Sequence, residues 1–299
     1  METIRSGFVG VLGRTNVGKS SFINAILGRK LLIVSSKRQS TRNRIRCIYN
    51  DANAQVVFID TPGLHKPVDK LSNHLIKQAF SALADLDLVL YMVEPVAEIP
   101  DYDREMVKRM RTLDAAKFLL VNKSDTAKGN AVAETIQRYG DLDLFSEIVP
   151  ISCADGTNLS RTVELIKAYL PDGPRYFPEG TDTDRDETFV IAEFVREAVY
   201  RHTRQEVPYS TYVDVVAMSE REGGSLLEIY ATIYVARRSQ KGILIGDRGE
   251  MIKRIGQEAR RLIEALLGTQ AYLDLQVKVA EKWNQDEAQI ARSLGSSRP

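Results

Sequence analysis

Cysteine is scarce. Only Cys47 and Cys153 occur in 299 residues, and neither has a partner at metal-ligand spacing. A disulfide framework is excluded, and a reducing compartment fits. No 18 apolar residues run together, and the first ten lack the charged-then-apolar order of a secretory signal, so a cytoplasmic protein that does not span a membrane is expected. An excess of one charge is missing too. Against 41 Lys and Arg stand 40 Asp and Glu, so the chain is not a uniformly basic nucleic-acid binder, and any basic patch has to be local. Internal repeats and low-complexity tracts are absent. What remains is a globular composition, 43% hydrophobic and 27% charged, at a length that accommodates two domains.

The stretch that organises the chain is Gly13, Arg14, Thr15, Asn16, Val17, Gly18, Lys19 and Ser20, followed by Ser21. It leaves an apolar run (8–12) that reads as a buried parallel strand and enters residues 21–27, which have helical period. In that context two glycines let successive backbone N–H groups face phosphate oxygens, and the helix N-terminus adds its positive dipole end. Lys19 can then reach β- and γ-phosphates, and the Ser20 hydroxyl can bind Mg²⁺.

Four more signals follow in order. Residues 28–43 are polar, basic and aperiodic, as suits a nucleotide switch, and Thr41 is the candidate to complete a Mg²⁺ shell. A short strand (55–59) ends in Asp60, Thr61, Pro62 and Gly63. A carboxylate at the C-terminal end of a parallel strand faces the ligand crevice, so Asp60 can hold Mg²⁺ through its water shell, while Gly63 can bring its N–H to a γ-phosphate. A third strand (118–121) opens into Asn122, Lys123, Ser124 and Asp125. Asp125 can accept from the N1–H and 2-amino edge of guanine, which adenine cannot supply; Asn122 braces the loop and the Lys123 stem covers the base. Ser152, Cys153 and Ala154, after a last strand, can place backbone against the guanine O6, with Cys153 packing and not reacting. Helices are expected over 71–83, 102–110 and 158–170, giving an α/β domain with a mostly parallel sheet over residues 1–172.

In order and spacing these residues resemble the translation-factor-related GTPases. The resemblance implies GTP hydrolysis with Lys19, Thr41 and Gly63 serving catalysis. One departure stands out: Leu64 occupies the place where a glutamine usually orients the attacking water, so slow intrinsic hydrolysis is expected. In similar GTPases an asparagine at the position of Asn16 helps hold a K⁺ ion against the phosphates; the bland alternative is that Asn16 only turns the loop. His65, beside Leu64, is a candidate base for water, with a merely solvated switch-loop residue the favoured reading; His74 and His202 read as ordinary surface or interface residues.

Residues 173–187 read as a connector. Beyond it come a helix (189–203), two strands (207–219 and 225–238) joined at Gly223 and Gly224, then Lys241, Gly242, Ile243, Leu244, Ile245, Gly246, Asp247, Arg248 and Gly249, a helix (250–267) and a closing strand (272–279). Eight basic residues stand against three acidic ones from 237 to 261, a local excess the overall balance conceals. A Gly-x-x-Gly turn that carries Arg248 and is flanked by Lys241 and Lys253 can clamp single-stranded RNA backbone, with Ile243 and Ile245 receiving bases. The order resembles a type II KH domain, placed at 188–283 with a tail at 284–299. Trp283 either stacks on a base or, as favoured, anchors the last segment.

A GTPase domain followed by this domain, with residues 196–210 at its head, resembles a bacterial family of RNA-binding GTPases over nearly the whole chain. Thr15 and Ser40 depart from its usual proline and threonine, which leaves Thr41 the better Mg²⁺ ligand. The resemblance implies a monomer that captures the 3′ end of small-subunit ribosomal RNA and assists maturation of that subunit. Two other classes stay open. A metabolic phosphotransferase would not need Asn122 to Asp125, and a membrane-surface adaptor would use the basic patch on the inner face of a membrane.

Overall fold

The computed structural model describes residues 3–35, 37, 42, 45–60, 85–221, 226–281, 283, 289 and 290. They fall into two compact units, the second beginning at Arg185 and also taking in residues 31–35 and 37.

The first unit is a sheet ordered β2-β3-β1-β4-β5-β6, from β1 (Ile4–Gly13), β2 (Ile45–Asn50), β3 (Ala54–Asp60), β4 (Leu88–Val93), β5 (Ala116–Val121) and β6 (Glu147–Pro150). Every pairing along that path is parallel except β2 with β3. All residues of β3 and β4 are buried, as continuous apolar runs require when helices cover both sheet faces. Among the described residues its helices are α1 (Lys19–Leu27), α2 (Asp101–Met110), α3 (Ala131–Gly140) and α4 (Leu159–Tyr169). One core layer joins Val89, Tyr91 and Leu119 of the sheet to Met106, Val107 and Met110 of α2 and Tyr139 of α3. Within it the buried Asp103 carboxylate accepts from the hydroxyls of Tyr91 at 2.7 Å and Tyr139 at 2.8 Å. The functional consequence is positional, since the C-terminal ends of β1, β3, β4, β5 and β6 open on one edge of the sheet.

The stretch expected to be a connector behaves otherwise as far as Asp184, which still belongs to the first unit. A two-residue strand β7 (Asp172–Gly173) pairs antiparallel with the start of β1. The fully buried Gln55 accepts from the N–H groups of Tyr176 at 2.7 Å and Phe177 at 2.9 Å, and Ile48 donates to the Asp182 carbonyl at 2.8 Å. A Pro- and Gly-containing segment without apolar periodicity is thus held by polar groups.

The second unit begins with α5 (Glu187–His202), capped by Asp186, whose carboxylate accepts from Phe189 N–H at 2.8 Å. β8 (Thr211–Glu220) pairs antiparallel with β9 (Leu226–Val235), and β10 (Gln270–Val279) pairs parallel with β9. Helices α6 (Arg238–Ile245) and α7 (Glu250–Leu267) lie between β9 and β10 in sequence. Their core joins Ile191, Phe194, Ile229 and Ile263. Ile33 joins the same core, Val34 N–H donates to the Glu197 carboxylate at 3.4 Å, and Lys37 Nζ donates to the carbonyls of Tyr200 and Thr203 near the end of α5. The segment following α1 is thereby built into the second unit. The expected helix over 71–83 and the turn at Gly223 and Gly224 lie outside the described residues.

Candidate functional site

β1 delivers the chain into the glycine-containing loop, and α1 starts at Lys19 with Gly18 as its N-cap at φ 106°. At Gly18 a Cβ would stand 2.2 Å from Asn122 Nδ2, so only glycine fits. That close approach is productive, because Asn122 Nδ2 donates to the Val17 carbonyl at 2.7 Å and ties the phosphate loop to the loop after β5. Lys19 is buried, and its ammonium donates to the carbonyls of Gly13 at 3.1 Å and Arg14 at 2.9 Å. Burial lowers its pKa to about 8 against the opposing pull of Asp60. The Ser20 hydroxyl donates to Asp60 Oδ2 at 3.0 Å. Strand order explains that meeting, since β3 lies beside β1 and Asp60 is its last residue. Two hard oxygen donors side by side next to a phosphate loop fit Mg²⁺.

On the far side of the loop Lys123 is left-handed at φ 63° and caps the short 3₁₀ turn Ser124–Thr126, which leaves Asp125 exposed. Ser124 is tied by its hydroxyl to the Ile151 carbonyl at 2.9 Å. Asn122 Oδ1 accepts from Cys153 N–H at 3.2 Å, and Ser152 Oγ accepts from the N–H of Ala154 at 3.2 Å. The phosphate loop, the Asn122 to Asp125 loop and the Ser152 to Ala154 loop therefore form one hydrogen-bonded rim. Burial pushes the Cys153 thiol up to about 12, which suits the packing role expected and not a nucleophile. Asn16 is exposed and left-handed at φ 66°, a conformation asparagine tolerates. Thr41, Thr61, Pro62, Gly63, Leu64, His65 and His74 lie outside the described residues.

In the second unit the predicted Gly-x-x-Gly turn lies between α6 and α7, with Gly246 at φ 72°, Arg248 at φ 46° and Gly249 at φ 82°. Lys241, Arg248 and Lys253 are exposed around it. Ile243 is 47% exposed, while Ile245 is half-buried against the core that holds Leu244.

Comparison with known proteins bears on both units. Residues 8–123 match a family model described as 50S ribosome-binding GTPase, and residues 206–284 match the KH domain model. GTPase Era of Geobacter metallireducens is 47% identical over 291 residues, covering 97% of each chain. GTPase Era of Thermotoga maritima is 45% identical, covering 98% of each. The chain belongs to the Era family of GTPases. Among solved structures, an Era variant from Aquifex aeolicus bound to GDP·AlF4⁻ superposes with a TM-score of 0.92 at 33% identity, over 99% of this chain and 100% of the other. Era in complex with MgGDPNP and nucleotides 1506–1542 of 16S ribosomal RNA matches with the same score, identity and coverage.

This Era-family chain is accordingly a P-loop GTPase with a KH domain. Trp283, the residue with two open roles, is fully buried; its Nε1 donates to the Ser210 carbonyl at 2.9 Å and its ring meets Tyr212 edge-on at 4.8 Å. It is an anchor. His202 contacts the Glu258 carboxylate at 2.6 Å. Sequence reasoning passed over Glu94, which pairs with Lys123. An acidic residue just after a core strand is a faint signal without the structure. It also passed over α3, whose Val132, Ile136 and Tyr139 carry the usual three- and four-residue spacing.

Proposed function

We propose that this GTPase binds GTP and GDP along the rim from Gly13 to Ser21 and Asp60 to Leu64, with Asn122, Lys123, Asp125 and Ser152 to Ala154 around the base. The observation that carries the reading is the Asn122 brace onto Val17, because it sets the phosphate cradle and the guanine-selecting carboxylate in one fixed frame. Lys19, charged near neutral pH, would offset charge on the transferred phosphoryl group; Asp125 would read the base edge. Ser20 and Asp60, with Thr41, would hold Mg²⁺, which when bound neutralises phosphate charge. K⁺ at Asn16 would add positive charge where Leu64 offers no water-orienting group, and the expected sign is faster turnover in K⁺ than in Na⁺ at equal ionic strength. Equal turnover removes that part.

The KH domain would hold single-stranded RNA through Lys241, Gly246, Asp247, Arg248, Gly249 and Lys253, with Ile243 and Ile245 against the bases. The RNA would be the 3′ end of small-subunit ribosomal RNA and the role maturation of that subunit, in the cytoplasm and as a monomer. The placement of Ile33, Val34 and Lys37 on α5 supports a coupling: a nucleotide-dependent rearrangement after α1 must pull on, or release, the first helix of the RNA domain. The test is fluorescence anisotropy with a single-stranded oligonucleotide of that RNA end, in GDP and in a non-hydrolysable GTP analogue. Tighter binding in one state, with the difference shrinking in Lys37→Ala, is expected. Equal affinities refute the coupling, and no RNA binding together with retention on anionic vesicles would favour a membrane-surface role.

A further inference from the structure

The loop after β4 carries a carboxylate that belongs to none of the nucleotide motifs. Val93, the last residue of β4, accepts from Asn122 N–H at 2.8 Å, so the parallel register of β4 and β5 carries Glu94 on toward Lys123. There Glu94 forms an ion pair with Lys123 Nζ, which also donates to the Asn16 carbonyl at 3.1 Å. An ammonium has three donors, and these two contacts define where the lysine stem lies. Glu94 is itself held in place. Two residues on, Val96 N–H donates to Thr135 Oγ1 at 2.9 Å and the Val96 carbonyl accepts from Arg138 Nη1 at 3.2 Å, both from α3. The acid is thus braced on one side by β5 and on the other by α3.

We propose that Glu94 is a positioning residue for the guanine nucleotide. It holds Lys123 stretched from the loop after β5 to the phosphate loop, so that the lysine stem is already laid where the base must slide beneath it. The inference rests on the assignment of Lys123 and Asp125 to the guanine pocket. A solvated surface pair would look similar in isolation, with side chains 43% and 41% exposed, and such a pair adds little to folding stability. The consequence of Glu94 therefore falls on nucleotide residence. Without it, Lys123 keeps its tether to Asn16 but loses the charge that fixes its direction, and the cost of ordering the side chain moves into the binding step.

The experiment is displacement of a fluorescent GDP from the full-length protein, with melting of the nucleotide-free protein alongside. Glu94→Ala should release GDP about tenfold faster, the scale of one charge-assisted hydrogen bond. Glu94→Gln, which keeps an acceptor but no charge, should fall between. In a Lys123→Ala background, Glu94→Ala should add nothing, because its only path to the nucleotide is gone. Melting of the nucleotide-free protein should be unchanged. Release from Glu94→Ala within twofold of wild type, a double variant whose acceleration is the product of the singles, or a melting loss that tracks release would each overturn the proposal. If Lys123→Ala itself leaves release unchanged, the pocket assignment fails; if only Glu94→Ala does, the pocket stands and this inference falls.

Discussion

Gly18→Ala isolates the brace on which the nucleotide site depends, provided it is read against Gly28→Ala. Both glycines are left-handed, Gly18 at φ 106° and Gly28 at φ 66°, so an alanine at either carries backbone strain of about 1–2 kcal/mol. They differ in what the new methyl meets. At Gly28 nothing lies within 4 Å, whereas at Gly18 the methyl would stand 2.2 Å from Asn122 Nδ2. Asn122 cannot yield without giving up its 2.7 Å bond to the Val17 carbonyl, and it is only 2% exposed. Leaving those buried groups unpaired costs about 1–3 kcal/mol beyond the strain. For a unit of this size each kcal/mol lowers the melting temperature by roughly 2–4 °C, so Gly18→Ala should melt about 2–12 °C below Gly28→Ala. Calorimetry with GDP should show the larger contrast: Gly28→Ala near wild type, Gly18→Ala weaker by about 5- to 150-fold, the span of about 1–3 kcal/mol when 1.4 kcal/mol is a factor of ten. Equal melting and equal GDP affinity of the two variants would refute the brace.

Burial sets a pH dependence at Lys19. Its folded pKa of about 8 lies below the unfolded value of 10.5, so between those limits the unfolded chain binds more protons, and this group makes nucleotide-free stability rise with pH. Phosphates favour the charged amine, so GDP affinity should fall as pH climbs through about 8, with a slope of at most about tenfold per pH unit; a flat profile to pH 9.5 would contradict the burial. In the RNA groove, Arg248→Ala should weaken a single-stranded ligand and reduce the slope of log affinity against log salt by about 0.7, the signature of one lost phosphate contact. An unchanged salt slope would place Arg248 outside the groove.

The parts of this chain that were readable in advance are those where a chemical task fixes both residue type and spacing. The loop from Gly13 to Ser20, Asp60 at a strand end and Asn122 to Asp125 on the next open edge each sit where their backbone demands them. Helix α7 was legible to the residue, because Gly249 and Gly268 punctuate it and its apolar stripe is strong. Apart from α3, what escaped prediction is held by polar contacts of individual side chains with residues far apart in sequence. Gln55 fastening residues 176 and 177, Lys37 reaching the end of α5 and Glu94 meeting Lys123 leave no periodic trace. The assignment of residues 31–35 to the second unit also leaves no periodic trace, since Ile33 reads as one more loop residue until the apolar core that receives it is known.

Asp125 is the residue that would choose the base, and the proposed function rests on that choice. Calorimetry on the full-length protein with Mg²⁺ should give a preference for GDP over ADP of about 10⁴-fold, the scale on which a site built around specific hydrogen bonds rejects a ligand that cannot make them. Asp125→Asn should collapse that preference and shift binding toward xanthine nucleotide, whose 2-oxo group can accept from the new amide. No preference in the wild type, or the same preference in Asp125→Asn, would contradict the reading of the site.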